Sequence, residues 1–305
     1  MNSPHPMNSP QPANAPDRSP LIVVTGATGN IGRCLVDRLL ADGAAVRALT
    51  RDPARAALPA GAETVRADLT GAQDLAPLLA GADALFLNLA AGGGEAVTAL
   101  VDAAVAAGVR RIVLNSSMAV TDTAADDSNH IARMHADAER RVRDSGLEWT
   151  FVRGSNYSTN TLAWAPSIRA SGVVREAHPG AQGSPVHEAD LADVAAVALL
   201  DRSGAHLGQA YRVTGPEVLT VAQQVAEIGR ATGRPTQVEQ ISEEAAAEAM
   251  AGPHLPLEAA RELVRLFGAM VHAPSFPVSD AVERVTGRPG RTYAEWARDH
   301  AADFS

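Results

Sequence analysis

The stretch Leu21-Ile22-Val23-Val24-Thr25-Gly26-Ala27-Thr28-Gly29-Asn30-Ile31-Gly32 constrains the fold of this chain more than any other. An apolar run feeds three glycines, and Arg33-Cys34-Leu35-Val36-Asp37-Arg38-Leu39-Leu40 follows with helical periodicity. Strand, Gly-rich turn and helix in that order present backbone N–H groups and a helix N-terminus to a dinucleotide pyrophosphate. Gly26 permits the tight turn, Gly29 lets the backbone approach phosphate, and Gly32 lets helix and strand pack closely. The G-x-x-G-x-x-G spacing is one residue off the G-x-G-x-x-G fingerprint, and glycines alone would also suit an ordinary loop. The strand and helix on either side favour nucleotide binding. Gly26, Thr28, Gly29, Asn30, Ile31 and Gly32 are therefore read as cofactor-binding.

The next strand, Ala45-Val46-Arg47-Ala48-Leu49-Thr50, delivers Arg51-Asp52-Pro53 at its carboxyl end. An acidic residue there would grip the ribose 2′-hydroxyl of NAD, whereas an arginine suits the 2′-phosphate of NADP. Arg51 holds that position with Asp52 directly after it. The expected cofactor is NADP(H), against the alternative of a solvated surface arginine.

Composition narrows the partners. The 305 residues are 46% hydrophobic and 20% charged, enough for one large α/β unit or a core with a smaller lobe. A net charge of −9 with scattered arginines gives no basic stripe for nucleic acid. No apolar run approaches a membrane span. The first twenty residues, rich in Pro, Asn and Ser, lack the apolar core of a signal peptide and read as a disordered tail. A cytoplasmic location is expected. Cys34, the only cysteine, excludes an internal disulfide and suits packing better than chemistry. All 26 basic residues are arginine, so no lysine Schiff base, no lysine general base and no Tyr-x-x-x-Lys dyad can exist.

Strands and helices alternate after residue 20, which favours a doubly wound parallel sheet. Further strands are expected at Glu63–Ala67, Ala84–Leu89, Arg111–Asn115 and Trp149–Arg153, with helices around Gln73–Leu79, from Gly94 to Gly108, and over Ile131–Arg143. The alternation weakens beyond residue 155, where Pro166, Pro179 and Pro185 interrupt the chain. A short strand at Ala210–Val213 and helices near 220–231, 243–250 and 257–268 complete the reading. The expected organisation is a tail over 1–20, a nucleotide-binding core over 21–155, and a region over 156–305. That last region is mainly a substrate lobe, with some elements returning to the core.

The segments quoted above resemble the NmrA-like branch of the atypical short-chain dehydrogenase/reductase superfamily. The likeness is carried by Thr25–Gly32, Arg51-Asp52-Pro53, Ala67-Asp68-Leu69 and Ser116-Ser117. It continues through Ser145–Arg153, Asn156–Asn160, Pro185–Ala195 and Arg291–Trp296, so it covers most of residues 21–305. It implies a Rossmann-type α/β fold with a smaller C-terminal lobe, Asp68 and Leu69 along the adenine, and a homodimer as one common arrangement. Members include NADPH-dependent quinone and dye reductases as well as nucleotide-sensing regulators with little or no turnover. The wider superfamily protonates substrate with a tyrosine, four residues ahead of a lysine that holds the ribose. Alignment on Ser145-Gly146-Leu147 puts Ile131 at the tyrosine position and His135 at the lysine position. Related quinone reductases tolerate this loss, because a quinone accepts hydride readily and water can protonate its oxygen. The following strand usually ends Arg-Pro; here it ends Arg153-Gly154.

Candidate catalytic groups follow from these departures. His135 could bond the ribose or cofactor amide and relay a proton, its alternative being a structural role. Ser116 and Ser117, at a strand's carboxyl end, could donate to a substrate oxygen or simply cap a loop. Tyr157 is either a replacement acid or an aromatic wall under the substrate, with Asn156 and Asn160 fixing its loop. Catalysis is accordingly assigned to His135, Tyr157 and Ser117. Arg51, Asp68, Leu69, Asn88, Ser116, His135 and Gly154 join the glycine turn as cofactor-binding residues. Asp122, Asp126, Asp127, His130 and His135 have no recognisable ligand spacing, so no metal is expected. His187 with Asp190 and Asp193 is read as ordering the start of a helix, with Asp190 near its N-cap. A Ser-His-Asp hydrolase lacks the G-x-S-x-G turn it would need.

The expected function is an NADPH-dependent oxidoreductase passing hydride to a quinone, enone or similar conjugated small molecule. The alternatives are an NADP(H)-sensing regulator without turnover and a redox-neutral cyclase or isomerase.

Overall fold

The computed structural model describes residues 18–69, 74–89, 94–124, 126, 129–252, 255–274 and 276–305. Residues 1–17 of the expected tail, Gln73, Gly92, Gly93 and Asp127 lie outside these. Seven parallel strands form the central sheet: β1 (Leu21–Val24), β2 (Ala45–Thr50), β3 (Ala62–Arg66), β4 (Ala84–Asn88), β5 (Arg111–Ser117), β6 (Glu148–Gly154) and, later in the chain, β9 (Gln209–Val213). Their order is β3-β2-β1-β4-β5-β6-β9. The reversal between β1 and β4 is the topological switch point of a doubly wound sheet, where the crevice for a ligand opens.

Alternate residues of each strand face opposite layers. Ile22, Val24, Val46, Phe86, Val113 and Val152 pack on one side, beneath α1 (Asn30–Ala41). Val23, Leu49, Leu85, Leu87, Ile112, Leu114 and Phe151 pack on the other. That side is covered by α2 (Ala76–Leu79), α3 (Glu95–Ala106) and α4 (His130–Asp144). Both faces being buried, the strands read as continuous apolar runs rather than alternating ones.

After β6 the chain leaves the sheet. It forms α5 (Ala165–Ser171), β7 (Val173–Glu176) and β8 (Gln182–Gly183), then returns as α6 (Glu188–Leu200) before β9. Helix α6 lies against α1 and is buried on almost every side, through Leu191, Ala192, Val194, Ala195, Ala198 and Leu199. Its sequence therefore shows no amphipathic stripe. The remaining elements are β10 (Leu219–Thr220), α7 (Val221–Thr232), β11 (Gln237–Gln240), α8 (Glu243–Met250), α9 (Leu257–Ala269), α10 (Ala281–Thr286) and α11 (Tyr293–Asp299). Strands β8 and β10 pair antiparallel, and β7 and β11 pair parallel. Tyr293, Trp296 and Phe304 join Ile168, Val174 and Ile228 in the centre of this lobe. Helix α10 turns back to the first core through Ala281 and Val282.

The sequence placed Asp190 near the N-cap of α6; His187 holds that position, its Nδ1 accepting from the Ala189 N–H at 3.1 Å. Asp190 and Asp193 lie inside the helix and carry ion pairs. Asp193 meets Arg38 of α1 at 2.7 Å and Arg288 at 2.9 Å, while Arg291 pairs with both acids. This buried cluster ties the C-terminal segment to the first helix. Cys34 beside it is pushed up to about 11, chiefly by burial and then by the Glu188 carboxylate, which leaves a packing thiol.

Candidate active site

At the turn after β1, Gly26 adopts φ +62°, a left-handed conformation that favours glycine. Thr25 locks the turn to β4: its hydroxyl donates to the Phe86 carbonyl at 3.1 Å and accepts from the Asn88 N–H at 2.8 Å. A Cβ on Gly32 would stand 2.2 Å from the Gly26 carbonyl oxygen, so only glycine lets the first turn of α1 settle this close. Gly29 is the N-cap of α1 and has no side-chain cap; the hydrogen bonds of the helix begin with the Arg33 N–H on the Gly29 carbonyl. The N–H groups of Asn30, Ile31 and Gly32 are thus the orphan donors of an uncapped N-terminus, the arrangement that receives an anion.

These glycines open onto a cleft of about 630 Å³ at the carboxyl ends of β1 to β4. Thr28, Asp68, Leu69 and Asn88 line it, together with Arg51 at the end of β2. Arg33 and Arg55 also line the cleft, and sequence reasoning passed over both. Arg33 is held by the carbonyls of Thr28 and Ala57, each at 3.0 Å. Arg51 is exposed and forms no ion pair among the described residues. Both missed arginines had a positional signal: Arg33 directly follows the third glycine, and Arg55 lies one turn beyond Arg51.

The other predicted residues are placed differently. Ser116 is fully buried and donates to Glu139 at 2.6 Å, which removes its hydroxyl from the cleft. Arg153 closes on the same carboxylate through Nε at 2.8 Å and a terminal nitrogen at 2.6 Å, and on Asp122 at 2.7 Å. The Arg153 guanidinium holds Asp122 below the usual carboxylate range. Asp126 accepts from the N–H and hydroxyl of Thr121, so these acids are engaged in structure. Among the described residues no cluster of metal-ligating side chains occurs. Ser117 accepts from the Ala119 N–H at 3.1 Å in a tight turn.

Gly154 sits beneath the ring of Tyr157, where a Cβ would lie 2.5 Å from the Tyr157 ring. A proline in its place would drive that ring away, so the Arg153-Gly154 departure and the position of Tyr157 go together. The Tyr157 hydroxyl accepts from the Asn115 amide at 3.5 Å and keeps its own proton free; burial pushes its pKa up, so it is a neutral donor at pH 7. The second atom of that amide, Asn115 Oδ1, is buried with no partner. Asn115 was legible only as one polar residue in an apolar run. His135 is also orphaned: Nδ1 is buried without a partner, and desolvation pushes the imidazole down to about 4 against the opposing pull of Glu139. His130 lines a separate groove between α3 and α4, as the five-residue separation from His135 implies.

Tyr157 also borders a second, largely apolar pocket of about 370 Å³ in the lobe, with Trp164, Val264, Phe267 and Met270 among its walls. Asn156 and Asn160 stand at its rim with Tyr157. A row of residues runs along the sheet edge from the cleft toward this pocket. Asn88 packs on Gly26, Asn88 and Asn115 are register partners on β4 and β5, and Asn115 reaches Tyr157.

A parallel doubly wound sheet with an uncapped, glycine-turned helix N-terminus at its switch point defines a dinucleotide-binding protein of the Rossmann type. A family model described as NAD(P)H-binding matches residues 26–202, and the chain belongs to this NAD(P)H-binding family. It is 40% identical to (4-alkanoyl-5-oxo-2,5-dihydrofuran-3-yl)methyl phosphate reductase of Streptomyces griseus over 93% of this chain and 99% of that one. It is 36% identical to the NAD(P)H azoreductase of Xenophilus azovorans, with the same coverages of 93% and 99%. Among solved structures, the NADPH-dependent quinone oxidoreductase of Escherichia coli complexed with NADPH superposes with a TM-score of 0.73 at 28% identity, over 91% of this chain and 99% of that one. Among the described residues no helix is long and apolar enough to cross a membrane.

Proposed function

We propose that the protein is an NADPH-dependent reductase of conjugated, oxygenated small molecules such as quinones and enones. The observation that carries this reading is the continuous row Gly26, Asn88, Asn115 and Tyr157, which links the nucleotide cleft to an apolar pocket. The residues of the cleft fit a dinucleotide: the uncapped N-terminus of α1 suits its pyrophosphate, and Arg51, Arg33 and Arg55 suit the extra phosphate of NADP(H). The orphaned Asn115 Oδ1 is a buried acceptor that lacks a donor until something binds. When bound, the cofactor supplies the hydride.

The chain's own residues orient the acceptor and exclude water. Tyr157 walls the acceptor pocket and offers one hydroxyl proton to an oxygen that gains charge. Ile131 occupies the position of the superfamily's acid, and its aliphatic side chain has no proton to give; water completes the protonation of the reduced product. His135 is neutral at pH 7 and is not among the residues that line either cavity, so it offers the cofactor no cation.

The test follows NADPH absorbance with purified protein against a panel of quinones and enones, after NADPH binding has been measured by calorimetry. Consumption that requires both protein and acceptor supports a reductase. Tight NADPH binding without consumption across the panel would overturn it in favour of a nucleotide sensor.

A further inference from the structure

Glu176 and Gln224 are among the polar groups of the apolar pocket that the mechanism does not use. Glu176, at the end of β7, lines the pocket, and its Oε1 accepts from the Trp164 indole N–H at 2.8 Å. Its second oxygen has no hydrogen-bond partner among the described residues. Gln224 of α7 also lines the pocket, is only 5% exposed, and its amide has no hydrogen-bond partner among the described residues. A buried, unpaired amide beside a half-paired carboxyl is costly unless a ligand completes it.

The charge of the lining is one-sided. Among its described residues there is no arginine, so an anionic ligand would meet no counter-ion. The one group able to become cationic, His178, has its Nε2 3.3 Å from Glu243 of α8, where any charge it gains is answered. The arginines of the nucleotide cleft line the other cavity.

We infer that Glu176 and Gln224 are specificity-determining residues, selecting neutral acceptors that carry a hydrogen-bond donor and rejecting those bearing sulfonate, carboxylate or phosphate. This rests on the pocket being the acceptor site. The Trp164 N–H fixes the carboxyl so that its free oxygen faces the ligand, accepting from a hydroxyl or amino substituent. The Gln224 amide provides a donor and an acceptor to the same end of the molecule. An anionic substituent in the same place would meet the acceptor oxygen of Glu176 and no arginine across a medium of low dielectric, the arrangement by which a site discriminates against a partner.

Two measurements test this. Equilibrium dialysis of 2-naphthol and naphthalene-2-sulfonate, which share a ring system and undergo no reduction, reads the pocket without turnover. The wild-type protein is expected to hold 2-naphthol at least about tenfold more tightly. Glu176→Gln keeps an acceptor for Trp164, and is expected to bring the two affinities within about threefold by gaining sulfonate binding. Steady-state kinetics with 2-hydroxymethyl-1,4-naphthoquinone, which is neutral and carries a hydroxyl donor, and 1,4-naphthoquinone-2-sulfonate should show the same convergence of the two KM values in Glu176→Gln. Equal affinities in the wild-type protein, or an unchanged ratio in Glu176→Gln, would overturn the assignment. Selective dialysis with no quinone turnover would uphold the assignment and refute the reductase reading instead. Turnover of quinones with no naphthol binding would do the reverse.

Discussion

His135 allows a stability prediction whose size follows from its burial. In the folded chain the imidazole is pushed down to about 4 from an ordinary 6.5, first by desolvation, with the Glu139 carboxylate one turn away opposing. Between those two pH values the unfolded chain binds a proton at His135 that the folded chain refuses. Stability therefore falls as pH drops through that window, and the contribution is intact above about pH 6.5. At about 1.4 kcal/mol per pH unit the loss reaches about 2 kcal/mol at pH 5 and about 3 kcal/mol below pH 4. His135→Gln removes the titration while keeping a polar side chain of similar reach. Urea unfolding of both proteins at pH 7.5 and pH 5 gives the comparison, and the variant should lose about 2 kcal/mol less than the wild type over that interval. Other groups cancel in the difference. His300, for example, is held up by its hydrogen bond to Glu188 and works in the opposite sense in both proteins, losing its contribution as pH rises. Equal losses for the two proteins would mean that His135 is not buried in neutral form.

Three further outcomes test the geometry. Arg51→Ala should weaken NADPH about 10- to 100-fold, the worth of a charge-assisted contact, and leave NADH within about twofold; equal weakening of both, measured by calorimetry, would remove the phosphate clamp. Gly154→Ala should cost about 1–3 kcal/mol through its clash with the Tyr157 ring, and much less in a Tyr157→Ala background; thermal unfolding of the double-mutant cycle reads the coupling. Glu139→Ala should cost about 3–5 kcal/mol, because it strands the buried Arg153 guanidinium and the Ser116 hydroxyl together; a loss below about 1 kcal/mol by urea unfolding would contradict the burial of that pair.

The sheet and its nucleotide end were legible because their signals are local. A glycine at the left-handed Gly26 and another under the Gly26 carbonyl at Gly32 are backbone requirements that spacing reveals directly. The polar residues were harder, since side-chain hydrogen bonds span the sheet. Ser116 and Ser117 are neighbours in a strand and so point to opposite faces, one into Glu139 and the other into its own turn. Nothing in the spacing of Ser116, Glu139 and Arg153 announces that they meet. Helix α6 escaped a periodicity reading for the opposite reason: wholly enclosed, it has no polar face to generate a period. The lobe pocket is assembled from the segment 156–164 ahead of α5, the segment from the end of β7 to β8, and helices α7 to α9, so Glu176, Trp164 and Gln224 converge from segments with no motif in common.

The ion pairs joining Arg38 to Asp193, and Asp193 to Arg288 and Arg291, bear on the order in which this protein can be made. Helix α1 leaves the ribosome long before the helix that covers it, which is not complete until residue 200, and the arginines that neutralise that helix's buried acids arrive about ninety residues later still. The nascent chain must therefore carry an open nucleotide-binding half through most of its synthesis. A truncated transcript or a proteolytic fragment ending near residue 155 would inherit the same uncovered surface, with nothing left to close it.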